Sequence, residues 1–314
     1  TCPYITEAVF TTTLGAWAHR SNPAYVRDRH ALISYPPDGR VYALGGETVG
    51  PSLNLPIEAF DPVANNWTRH AYLRVGVSNI GAAVIGDDMY VPGGYDGSGA
   101  STWLQVFHPL SDTVDVIYSD PLPAPRYGAG VASAAGKLYV IGGSDGVSTT
   151  HTVFEYDPAR PATARWQRKA DLPTARVFLG AAMLDGLIYA VGGSPGPLTD
   201  LATVEIYNPA TDSWTSGPPL SVPRSGLAVT AASNGGGCGP YLYAVGGGWF
   251  TYRATAERYN PATNTWTVVA PMPRASSGHT ATLLADGRVL VAGGTGYYTP
   301  TYLFDPATNT WATT

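Results

Sequence analysis

The chain is short of charge. Asp, Glu, Lys and Arg make up 13% of its 314 residues, about half the share of an ordinary soluble domain. The 18 basic residues are scattered, adjacent only at Arg168-Lys169, and the net charge is −5. Without a basic stripe there is no electrostatic footprint for nucleic acid, and no such partner is expected. Long apolar runs are missing too: none approaches the ~18–20 residues that span a bilayer, so no membrane span is expected. Cysteine is nearly absent. Cys2 and Cys238 permit one disulfide, which would tie down the N-terminal tail and point to an extracellular or cell-surface setting; two free thiols are the open alternative. Neither lies in a CxxC pair and the six histidines show no ligand spacing, so no metal or other cofactor is expected. Helical periodicity is lacking as well, because Gly or Pro interrupts every amphipathic window after a few residues.

Turn formers and aromatics fill the space. The chain holds 37 Gly, 27 Pro, 20 Tyr and 8 Trp, a mix that favours tight turns and aromatic-packed strands. Their order is periodic. An apolar run ending in Gly-Gly occurs six times: "VYALGG" to Gly46, "MYVPGG" to Gly94, "LYVIGG" to Gly143, "IYAVGG" to Gly193, "LYAVGG" to Gly247 and "VLVAGG" to Gly294. Each is followed by a variant of one phrase, seen as "FDPVANNW" at 60–67, "YNPATDSW" at 207–214, "YNPATNTW" at 259–266 and "FDPATNTW" at 304–311. Self-similarity at ~50 residues marks a repeat architecture.

Each copy reads as four short strands. In the fourth, 179–184 and 187–191 flank the hairpin pair Asp185-Gly186, and 203–207 and the Trp214 strand flank an Asn-Pro turn. The strand before Gly-Gly is apolar on both faces, as a strand packed between two layers should be. The glycines allow a sharp turn where side chains would collide near the crowded axis. Tyr or Phe of the third strand and Trp of the fourth supply large apolar surfaces.

From about Arg27 to Trp311 the chain resembles the kelch repeat family. The resemblance implies an all-β, six-bladed kelch-type β-propeller with four-stranded antiparallel blades, at about 27–74, 75–122, 123–172, 173–221, 222–271 and 272–314. The second copy departs, with His108 for Asx, Val114 for Trp and Pro92 inside its second strand. It should be the most irregular blade. Residues 1–26 hold no full copy, although Phe10 and Trp17 mimic the end of a blade. They are read as a segment closing the ring, with half of a seventh blade as the alternative.

In a propeller, recognition falls on loops. Two loop sets should share one end, those after Gly-Gly and those entering each blade. The second set carries Arg126, Arg176, Arg224 and Arg274, with Arg27 or Arg29 as the first-blade equivalent and Val77 in the second. Either these form a cationic ring for a carboxylate or acidic peptide, or they tie the loops to the third-strand acids Glu58, Glu155, Glu205 and Glu257; recurrence with the repeat favours the second. The loops after Gly-Gly differ from copy to copy and concentrate aromatics: Tyr95, Trp103, Trp249, Phe250, Tyr252, Tyr297 and Tyr298. Those of blades five and six could form one patch for stacking on a sugar or docking a peptide, or could simply cover the blade tops.

Kelch-type propellers also include copper-radical oxidases and sialic acid epimerase-like enzymes. The oxidase chemistry needs a Tyr–Cys crosslink and two His, which the positions here do not suggest. An epimerase-like site would use Glu47, Asp96 or Asp145 as acid or base beside the arginines, although acids there are equally turn formers. His30, His108 and His279 are expected to be structural. The resulting expectation is a non-enzymatic recognition module for a glycan or a protein or peptide, with a carbohydrate-active enzyme as the alternative.

Overall fold

The structure, a computed structural model, describes residues 22–48, 50, 52–196, 199–233, 240–249, 251–295 and 301–313. Six separate four-stranded antiparallel sheets form, each from consecutive strands. Blade one comprises Ala31–Tyr35, Arg40–Leu44, Pro56–Asp61 and Asn66–Tyr72. The innermost strands of the others are Ala83–Ile85, Gly130–Ala134, Gly180–Leu184, Ala228–Ser233 and His279–Leu283. Each inner strand lies beside that of the next blade, and the sixth lies beside the first. The result is a closed six-bladed β-propeller, and the ring has no gap for a seventh blade between blades six and one.

The core is divided. Six apolar clusters sit one at each blade interface, including one that joins Leu32, Val41 and Phe60 of blade one to Leu284, Leu290 and Leu303 of blade six. The second strand of each blade is buried on both faces, which accounts for its unbroken apolar run.

The repeated phrase is explained residue by residue. Its aromatic packs on the Trp of the next strand, with ring centroids 5.3 Å apart for Tyr259–Trp266 and 4.9 Å for Phe304–Trp311. Its first Asx caps the turn: Asn260 Oδ1 accepts from the Ala262 N–H at 2.9 Å and Asp305 Oδ1 from Ala307 at 2.8 Å. Its second Asn takes a left-handed backbone, at φ +55° for both Asn264 and Asn309. The indole N–H then crosses to the preceding blade, Trp266 donating to Pro218 O and Trp311 to Ala270 O.

Gly-Gly works at the contact between blades. The second glycine's N–H donates to a carbonyl of the next blade's entering loop, as in Gly46 to Val77, Gly143 to Arg176 and Gly193 to Arg224. A Cβ on the first glycine would collide with that same carbonyl, at 2.4 Å for Gly192 and 2.5 Å for Gly93. The crowding is thus against the neighbouring loop rather than the axis.

Blade two is irregular for a definable reason. Gly93 N–H donates outward to Trp103 O, so the amide of residue 92 would have to face the inner strand. Pro92 has none, and that inner strand shortens to three residues. Blade one carries an irregularity of its own, a register shift at Pro56/Glu58.

Of the N-terminal closing segment, residues 22–26 are described: Asn22 Oδ1 accepts from the Thr301 N–H and Ala24 N–H donates to Glu58, linking blades six and one. Residues 1–21 and the Cys2–Cys238 pairing lie outside the described residues.

Candidate functional site

The two loop sets meet at one end of the central channel, paired through short bridges such as Asp28–Glu47, Ser78–Tyr95, Tyr127–Ser144 and Val177–Ser194. Beneath them sit the arginines. Arg27 meets Glu58 at 2.5 Å, Arg176 meets Glu205 at 2.6 Å and Arg224 meets Glu257 at 2.5 Å, all fully buried. Each guanidinium also donates to carbonyls of its own blade, Arg224 to Gly246 O and Thr255 O. These arginines hold loops and present no charge to a ligand. Burial pushes the Arg224 guanidinium down and Glu257 opposes it.

The set is smaller than the sequence suggests. Glu155 lies one residue further along its strand than Glu205 does, as its spacing to the strand's tyrosine shows (Glu155-Tyr156 against Glu205 and Tyr207). With side chains alternating along a strand it faces the other way, toward Lys137, Tyr139 and Arg160. Phe154 takes the vacated position, and Arg126 lies over its ring at 5.5 Å while bonding Thr152 Oγ1. In blade six Tyr302 stands where the glutamate would be; Arg274 is exposed, and Ser276 supplies the carbonyl that Gly247 needs. In blade two Gln105 replaces the glutamate and bonds both N–H and C=O of Val75. The cationic ring is therefore not formed.

Two residues after the arginine position, each loop turns into the channel mouth. The six equivalents are Arg29, Asn79, Gly128, Phe178, Gly226 and Gly278, all left-handed, with φ between +54° and +69°. Their main chains form a hoop: Gly128 N–H donates to Asn79 O, Phe178 to Gly128, Gly226 to Phe178, Gly278 to Gly226 and Arg29 to Gly278, at 2.7–2.9 Å. Between blades one and two the bond shifts to Ile80 N–H and lengthens to 3.5 Å.

Side chains from the hoop build the mouth. Phe178 stacks on Trp249, 5.0 Å between centroids and 17° between planes. Tyr127 lies 6.1 Å from Phe178 and Tyr95 lies 6.3 Å from Tyr127, giving a row of four rings. Arg29 sits 5.8 Å from the Trp249 ring and pairs with Glu47, which also accepts from Ser78 Oγ at 3.1 Å. A cavity of about 230 Å³ lies above the channel between Arg29, Asn79, Trp249, Tyr252 and Thr295. A larger cleft of about 490 Å³ opens between blades three and four, bounded by Tyr127, Phe178 and Trp249. Below the hoop the channel is lined by small and apolar residues such as Ala129, Val131, Leu179 and Val229.

Of the aromatics singled out from sequence, Trp249 and Tyr252 are exposed at the mouth, and Tyr95 joins the row. Trp103 packs edge-on against Tyr118 instead. Phe250, Tyr297 and Tyr298 lie outside the described residues, so the patch of blades five and six is represented by Trp249 and Tyr252. Among the candidate acids, Glu47 reaches the mouth through Arg29. Asp96 accepts from Ser98 and Gly99, and Asp145 from the Ser148 and Val147 N–H groups, which hold its carboxyl below the usual range. Both are turn formers. His30 and His279 are buried under the glycine pairs of neighbouring blades, and His108 bonds Asp88 at 2.5 Å. Among the described residues, no three His, Cys, Asp or Glu side chains gather as a metal site would require.

Phe178, Tyr127 and Asn79 escape a reading of the sequence. Superposing the six entering loops would have exposed Phe178 and Asn79, which with Arg29 then stand out against three glycines.

The comparisons with known proteins agree with this architecture. The kelch motif matches residues 76–116, 125–173, 175–221 and 234–273. The chain belongs to the kelch repeat family. It is 26% identical over 286 residues to Kelch-like protein 15 of Danio rerio, covering 86% of this chain and 40% of that protein. Kelch-like protein 23 of Pongo abelii is 33% identical over 276 residues, covering 86% and 38%. Kelch-like protein terF of Aspergillus terreus is 31% identical over 262 residues, covering 73% and 54%. The chain thus spans about 40% of the length of the Kelch-like protein 15 relatives. Among solved structures, that of YjhT superposes with a TM-score of 0.75 over 94% of this chain and 99% of its own, at 15% identity, a likeness of fold.

Proposed function

We propose that this chain is a non-enzymatic recognition module that engages a segment of a protein partner at the channel mouth. One observation carries the reading: the hoop leaves a row of rings, Tyr95, Tyr127, Phe178 and Trp249, at the end where the variable loops meet. Partly exposed aromatic rings beside a cleft are what interface anchors are made of. The kelch-like relatives support a protein partner. A glycan is the second reading, favoured by the Trp249 face beside Arg29, Glu47 and Asn79.

The test is selection of a displayed random-peptide library on the wild type, followed by titration of the enriched peptides against Trp249→Ala and Val63→Asp. Val63 is exposed in a turn at the opposite end. Binding should fall by tenfold or more in the first variant, roughly what a modest interface anchor carries, and hold in the second. Failure to enrich any peptide, with a saccharide raising the melting temperature instead, would overturn the protein reading in favour of the glycan.

A further inference from the structure

A left-handed backbone is free of strain for glycine and tolerated by asparagine. Of the six hoop positions, three are Gly and one is Asn79; the exceptions are Arg29 and Phe178. Bulky residues persist at such positions where the side chain has a use, and strain of this kind gathers at binding sites. Arg29 contributes to the scaffold through Glu47. Phe178 does not: it belongs to none of the six apolar clusters between blades. Its ring lies over Gly128, where a Cβ would come within 2.8 Å of Phe178 Cδ1. From there it forms the shared wall of the mouth and the cleft. Trp249, stacked on it, is 43% exposed.

Building on the recognition reading, we propose that the cleft between blades three and four receives one uncharged aromatic side chain, Trp or Tyr, of the partner. The cleft, about 490 Å³, is of ligand size. Tyr127, Phe178 and Trp249 offer rings, and between them Ser144, Ser148 and Ser194, whose Oγ atoms also bond within their own loops, add polar lining with lone pairs to spare. Among the described residues, no charged side chain lines it. An ammonium or carboxylate entering would lose water without gaining a counter-ion. A phenol or indole matches the lining in charge and chemistry: its face meets the rings, and its single polar edge meets the serines.

The test uses the chain as it stands, titrated with N-acetyl-tryptophanamide, N-acetyl-tyrosinamide, their glutamate and lysine counterparts and methyl glycosides, read by NMR. The two aromatic amides should bind and the others should not. Phe178→Gly should weaken them by about tenfold, the upper range for one aromatic contact, while leaving the melting temperature unchanged or higher because strain is relieved. Equal binding of the charged amides, a response to glycosides alone, or aromatic binding unaffected by Phe178→Gly would each overturn the proposal. If Phe178→Gly lowers the melting temperature, the strain argument falls, and Ser148→Trp, which fills the cleft from its blade-three loop, decides the rest: unchanged amide binding then overturns the site. Library peptides that bind the face without an aromatic residue would refute this inference and leave the recognition reading intact.

Discussion

The arginines show how far one residue's meaning depends on strand parity. Four entering loops carry an equivalent arginine, yet three make a buried pair, because Glu155 is displaced by one position and Phe154 faces Arg126 instead. Sequence revealed that arginines and glutamates recur; it hid which glutamates point inward, since a shift of one residue changes the face. The pairs are structural and costly to break. Arg224→Met should strand Glu257 and reduce unfolding free energy by about 3–5 kcal/mol in chemical denaturation. The buried histidines give a second prediction. Burial, helped by the Arg27 charge, lowers His30 to about 3; burial, opposed by a bond to Val245 O, lowers His279 to about 4. In the unfolded chain both titrate near 6.5. Below that value the unfolded state binds more protons, so stability must fall as pH drops. Melting temperatures measured from pH 7 to 5 should decline, and the slope should flatten in His30→Asn/His279→Asn.

At the level of the element, the glycine pair and the repeated eight-residue phrase were the most legible parts of the chain, because each is fixed by local sterics. Gly-Gly reads as a place where side chains do not fit; only the fold shows that the obstacle is a carbonyl of the next blade. Gly192→Ala would set a Cβ 2.4 Å from Arg224 O in a left-handed backbone. A loss of about 1–3 kcal/mol is expected from the conformation alone, measurable by urea unfolding, whereas Gly196→Ala, where the space is open, should be near neutral. Pro92 was legible as a conflict but not as its resolution, which required knowing which neighbour each amide faces. Phe178 was hidden within its own copy for the complementary reason, and only the superposed entering loops set it against glycines. Nothing in "TARVFLG" signals a left-handed phenylalanine, and its partner Trp249 lies 71 positions away.

For the whole molecule, six cores in series replace one, and ring closure is continuous with every other interface. The repeat count made the architecture readable, since six units that each bury their flanks against neighbours have one economical arrangement. What it could not show is the hoop, which is main chain throughout. Its amides at Gly128, Phe178, Gly226 and Gly278 should exchange with solvent only on global opening and so show protection near the full unfolding free energy; rapid exchange at neutral pH would deny the hoop its role in closure. Because those bonds use no side chain, the hoop can carry different side chains at its six positions, at the cost of left-handed strain and where the neighbouring loop leaves room. A ring at one position needs an empty neighbour, as Phe178 needs Gly128. The channel mouth is therefore a six-letter word spelled on an unchanging main chain, in which each bulky letter costs strain and needs room beside it.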